Sequence, residues 1–180
     1  MFLSYDSFFL CLGIIYSYEN LLFSICRFRE VTGSYPSRIT VIGFDFKQKR
    51  FTDLHRKAIR FPIEKFRYVG LVPSATFFDH SKAAMGELSA VSAFENDLYG
   101  CHTLELSQKK EKRNPFKRSI PYALACPELN DLLAFCGPEL YQGLLPWSSA
   151  MDQVGKMSSA ERMSKPNRLR KKTSSSHISS

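Results

Sequence analysis

Residues 39–71 constrain this chain more tightly than any other stretch. Ile39-Thr40-Val41-Ile42-Gly43-Phe44 is β-branched and apolar at successive positions. A half-exposed strand alternates apolar with polar residues. A run that is apolar on both faces therefore predicts a central strand covered by helices on each side, as in a parallel sheet. A helix is predicted over about Lys47 to Arg60, where Phe51, Leu54, His55, Ala58 and Ile59 share a face, and Pro62 closes it. Phe66-Arg67-Tyr68-Val69-Gly70-Leu71 reads as a second strand. Strand, helix and strand within about 33 residues make a βαβ unit, with parallel strands and a right-handed crossover.

On the N-terminal side, Ser17 to about Thr32 reads as a helix. Ser17 is placed to cap it, Glu19 complements the positive helix end, and Gly33 stops it. Leu21, Leu22, Ile25 and Phe28 recur at helical spacing, so one face is buried. Beyond Val72, residues 82–100 read as a helix packed through Met85, Leu88, Val91, Phe94 and Leu98. Residues 108–115 read as a charged loop or fraying helix end. Pro127 opens a helix running to Phe135, which Gly137-Pro138 breaks. Residues 148–180 are Ser-rich, basic and aperiodic, and read as a disordered tail.

Two parallel strands cannot cover their own helices, because stable parallel sheets have several strands. Either residues 8–16 or 102–106 supply a partner, or strands expected before Ser17 are missing. The fold class expected is α/β: a partial Rossmann-like three-layer domain over residues 18–147 with a parallel sheet, a helical C-terminal part and the disordered tail. Residues 1–17 form an atypical segment.

The formal charge is +8, which suggests nucleic acid or membrane partners. Its placement weakens both. Seven basic side chains stand against two acidic ones in residues 151–180, leaving only +3 to residues 1–150. Arg168-Leu169-Arg170-Lys171-Lys172 is a solvated basic run of a common kind. The apolar run 8–16 is far shorter than the ~20 residues that span a bilayer. Asp6 and the lack of a preceding Lys or Arg argue against a secretory leader. Cys11, Cys26, Cys101, Cys126 and Cys136 form no C-x-x-C pair. The odd count predicts reduced, mostly buried thiols in a cytoplasmic setting.

The run Tyr18-Glu19-Asn20-Leu21-Leu22-Phe23-Ser24, followed by Ile39-Thr40-Val41-Ile42-Gly43-Phe44-Asp45-Phe46-Lys47-Gln48-Lys49-Arg50-Phe51, resembles the second half of the domain-of-unknown-function family 218, the YdcF/SanA-like family. Thr52-Asp53-Leu54-His55-Arg56, Asp97-Leu98-Tyr99-Gly100-Cys101-His102, Arg113-Asn114-Pro115-Phe116 and Pro127-Glu128-Leu129 are similar to its fungal branch. The resemblance covers about residues 18–147 and implies a Rossmann-like fold. It points to Glu19, Asn20, Lys47 and Arg50 as ligand-binding residues and to a nucleotide-like or phosphorylated small molecule as ligand. It leaves reaction, catalytic residues and cofactor unassigned. The glycine-rich turns of the family's first half are absent, and bacterial members commonly carry His at the position of Lys47.

The residues themselves offer a consistent but plainer picture. Asp45, Lys47, Lys49 and Arg50 follow the carboxyl end of a strand, where open α/β sheets bind ligands. Lys47 and Arg50 suit a phosphate, Arg through its planar fork. The same residues also suit a solvated basic loop. Glu19 and Asn20 equally serve the end of their own helix. Thr40 and Gly43 admit a close ligand, or Gly43 eases packing. His55 reads as a core histidine, and His80 and His102 lack metal-ligand spacing. No nucleophile elbow, H-E-x-x-H or P-loop occurs. The competing reading is a non-catalytic interaction protein or a truncated product without a complete site.

Overall fold

The computed structural model describes residues 3–4, 7–10, 17–72, 79–117 and 122–148. All of them belong to the unit Met1–Ser148. The expected disorder of the tail, with its basic run, His177 and most of the apolar run 8–16, lies outside the described residues.

Strands β1 (Leu3–Ser4) and β2 (Ser7–Leu10) precede helix α1 (Ser17–Thr32). Helix α1 buries Tyr18, Leu21, Leu22, Ile25, Cys26 and Phe28, the i, i+3, i+4, i+7 stripe that its sequence predicts. Gly33 ends it with φ of 77°, its N–H bonding the Arg29 carbonyl at 2.9 Å. A side chain is strained in that left-handed conformation, so glycine fits this closing turn.

Strand β3 (Ile39–Phe44) and strand β4 (Phe66–Leu71) pair in parallel over their full length, from Ile39 opposite Phe66 to Phe44 opposite Leu71. Strand β2 adds in parallel to the other side of β3, with Phe8 opposite Ile39, and β1 pairs antiparallel to β2. The sheet order is β1-β2-β3-β4. Residues before Ser17 thus supply the third parallel strand that the βαβ unit lacked, while Leu104 opens a helix instead.

The link between β3 and β4 is less regular than its sequence predicts. A 3-10 turn (Asp45–Lys47) leads through Gln48 and Lys49 into a π-helical stretch (Arg50–His55), and Arg56–Ala58, α2, ends the link as α-helix. Arg60 then takes a left-handed φ of 51°, and its guanidinium bonds the carbonyls of Tyr141 and Gly143.

Helix α3 (His80–Asn96) starts at Asp79, whose carboxylate accepts the Lys82 N–H at 2.9 Å. Its buried face is Glu87, Ala90, Val91, Ala93 and Phe94, whereas Met85 and Leu88 are exposed. The expected face through Met85 and Leu88 is therefore corrected. Glu87, Ala90, Val91 and Phe94 also fit i, i+3, i+4, i+7, but with an acid in the stripe. Helix α4 (Leu104–Arg113) covers most of the segment read as a charged loop or fraying end. Asp97 fixes the turn that leads into it by accepting the N–H groups of Cys101, His102 and Thr103. A 3-10 turn (Pro127–Leu129) leads into the short helix α5 (Asn130–Leu133).

One core joins Ile39 and Val41 of β3 and Phe66 of β4 to Leu22 and Ile25 of α1, Leu54 and Ile59 near α2, and Phe94 of α3. The chain is a mixed α/β protein whose sheet is parallel apart from β1. The opposite sheet face carries Thr40, Ile42, Phe44, Arg67, Val69 and Leu71, all half-buried or exposed. Among the described residues, β3 is covered on one face, not the two its apolar run predicted.

The thiols also depart from expectation. Cys101 and Cys136 form a disulfide across 35 residues, with Cα atoms 5.7 Å apart. Spacing alone could not show this, since α4 and α5 bring the two together. Cys26 and Cys126 are free and buried, as predicted. No helix among the described residues is long and apolar enough to cross a membrane.

Candidate functional site

Of the residues that sequence reasoning singled out, Lys47 and Arg50 follow the carboxyl end of β3, and Glu19 and Asn20 lie in the first turn of α1. Beyond Phe44 the chain turns at once, and Asp45 accepts the Phe46 N–H at 2.8 Å. Gly43 proves to be a packing position. The Tyr68 hydroxyl donates to the Phe44 carbonyl at 2.6 Å and occupies the space a Cβ on Gly43 would need, 2.7 Å away.

Arg50 lies at the centre of a polar cluster inside the core. One guanidinium nitrogen bonds Glu87 Oε2 at 2.8 Å, and another donates to Ser17 Oγ at 3.1 Å. Only 13% of the Arg50 side chain and 9% of the Glu87 side chain remain exposed. Ser17 Oγ in turn lies 2.7 Å from His55 Nε2. Ser17 is thus the first residue of α1, turned toward the core, rather than its cap.

The π-helical stretch makes this convergence geometrically feasible. Residues five apart on an α-helix diverge by about 140°. A π-turn, closed by i→i+5 bonds, brings such residues back over one another. Arg50 and His55 are five apart, lie at the two ends of that stretch, and both reach Ser17 Oγ.

Charge and burial set the protonation states. Burial, reinforced by the Arg50 charge, holds His55 well below the usual imidazole range, so the ring is neutral. Burial pushes the Glu87 carboxyl up, while the adjacent Arg50 opposes it. Lys47 is lowered, first by burial and next by Arg50, with Arg113 adding to the effect and Glu87 opposing it. Its Nζ lies 5.3 Å and 5.8 Å from the ring centres of Phe44 and Phe46, which stack on each other. Arg50 Nε, Glu87 Oε1 and His55 Nδ1 are buried without a hydrogen-bond partner among the described residues.

The four predicted residues separate into two groups. Lys47 and Arg50 are brought into electrostatic contact. Glu19 pairs with Lys110 of α4 at 2.6 Å. Arg113 lies three residues beyond Lys110, hence on the same helix face, and acts on Lys47. Helix α4 therefore spans the two groups. Asn20 is half-buried in the first turn of α1, and its backbone carbonyl accepts the Ser24 hydroxyl. His55 is fully buried as expected. Ser17, Glu87 and Lys110 were missed. Glu87 left a signal, an acid within an otherwise apolar helical stripe. Ser17 and Lys110 left none.

The chain is similar to a yeast protein. It is 38% identical over 115 residues to the uncharacterized protein YOR238W of Saccharomyces cerevisiae. The match takes in 59% of this chain and 38% of the relative, so the chain spans well under half the relative's length. No family model matches the chain, and no solved structure matches it.

Proposed function

We propose that the chain carries a YdcF/SanA-like anion-binding edge that holds a nucleotide-like or phosphorylated small molecule. The observation that supports this reading is the Arg50 guanidinium. It is nearly buried beside Lys47 at the carboxyl end of a parallel strand, with its Nε–H unpartnered among the described residues. A buried unsatisfied donor costs about 1–3 kcal/mol, and a phosphate oxygen would satisfy it. Arg113 and the first turn of α1 add positive potential to the same edge. The negative Glu87 keeps Arg50 buried and oriented in the absence of ligand.

Calorimetric titration with inorganic phosphate and with 5′-AMP tests the reading. Wild-type protein is expected to bind, and Lys47→Gln combined with Arg50→Lys to weaken binding at least about tenfold, or 1.4 kcal/mol. The lysine at 50 keeps a cation beside Glu87, so the fold survives. Equal binding by both proteins would reject the site.

A cytoplasmic setting belongs to the same proposal. The Cys101–Cys136 disulfide weighs against it, since such bonds are rare there. Alkylation of the native protein in fresh extract, read by intact mass, decides between the two.

A further inference from the structure

We propose that Ser17 and His55 form a nucleophile–base dyad, and that the anion held by Lys47 and Arg50 is the phosphoryl group of a phosphate ester that the dyad cleaves. This rests on the anion-binding reading above.

The geometry has the elements the chemistry needs. Ser17 Oγ lies 2.7 Å from His55 Nε2, within the distance at which a base removes a hydroxyl proton. Ser17 is half-buried in the first turn of α1, while His55 behind it is fully buried. With the ring proton on Nδ1, Nε2 accepts from Ser17, and Ser17 accepts from Arg50 at 3.1 Å. The Arg50 contact favours a developing alkoxide on Oγ and the charge on a bound phosphoryl group. Burial and the Arg50 charge keep His55 neutral, and the same two effects oppose its protonation. Phe51, Phe94 and Tyr18 pack around the ring and fix its plane. Glu87 balances Arg50 when the imidazole takes a proton.

In the first step Ser17 Oγ attacks phosphorus and its proton passes to His55 Nε2. The P–O bond to the alcohol breaks on the face opposite Ser17, and the leaving oxygen takes the electron pair and a proton from water. The hydroxide so formed attacks the phosphoserine phosphorus from that same face. Ser17 departs with the electron pair and takes back the proton held on His55. The products are an alcohol and phosphate, and no other reactant is required.

A fluorophosphonate tests the dyad directly, because the same attack expels fluoride and leaves a stable adduct. The native full-length chain should gain one adduct, mapped by mass spectrometry to Ser17. The urea-unfolded chain and Ser17→Ala should gain none. His55→Gln should label at least about a hundredfold more slowly. No adduct on native protein, or an equal yield on Ser17→Ala, overturns the dyad. Phosphate titration of Ser17→Ala separates the two proposals. Retained phosphate binding without wild-type labelling rejects the dyad alone, whereas absence of both rejects the binding site as well.

Discussion

Arg50 and Glu87 meet at 2.8 Å with both side chains largely withdrawn from water. An ion pair in that setting is held by mutual necessity. Removing one partner leaves a buried charge, which costs about 3–5 kcal/mol. Glu87→Ala is expected to lose that much stability in urea unfolding. Arg50→Met with Glu87→Leu should recover most of it, because the pair's desolvation cost disappears as well. A double mutant as unstable as Glu87→Ala would mean that the two do not act as a pair.

His55 makes stability depend on pH. Its folded pKa is depressed, by burial first and Arg50 second, below the unfolded value near 6.5. As pH falls below about 6.5, the unfolded chain binds a proton that the folded chain refuses. Stability is therefore lost on acidification, with a limiting slope of about 1.4 kcal/mol per pH unit. His55→Gln should flatten the difference between pH 7 and pH 5.5 in thermal melts. Glu87 acts with the opposite sign just above its unfolded value. An unchanged slope in His55→Gln would show that the ring is protonated equally in both states.

Tyr68 and Gly43 should be coupled. Gly43→Ala drives a Cβ into the Tyr68 hydroxyl and should cost about 1–3 kcal/mol. Tyr68→Phe removes the obstructing oxygen and should restore part of the loss. Additive costs in the double mutant would contradict the packing role of Gly43.

The Cys101–Cys136 bond closes a 35-residue loop. By loop-closure entropy such a bond contributes about 3–4 kcal/mol. Reductant should lower the melting temperature, and Cys101→Ser should reproduce the shift and no longer respond to reductant. A reductant-insensitive wild type would show that the thiols are unlinked.

The sequence made the βαβ unit legible because strand and helix periods differ and Gly33 and Pro62 mark the boundaries. It made α1 legible for the same reason. The exposed sheet face was not legible, since Ile42 and Phe44 are apolar whether or not anything covers them. Nor was the π-helical stretch, which accompanies the convergence of Arg50 and His55 on a residue far away in sequence. The position of Lys47 and Arg50 after a strand was readable. Their partners Glu87 and Arg113 come from helices α3 and α4, and only the tertiary fold brings them there.

The most direct measurement is an amide chemical-shift titration of the whole chain with inorganic phosphate at physiological ionic strength. The site described here predicts saturable shifts concentrated at residues 17–20 and 45–50, lost in Lys47→Gln with Arg50→Lys. Shifts confined to the basic residues between Lys156 and Lys172, or no saturable shift, would contradict it.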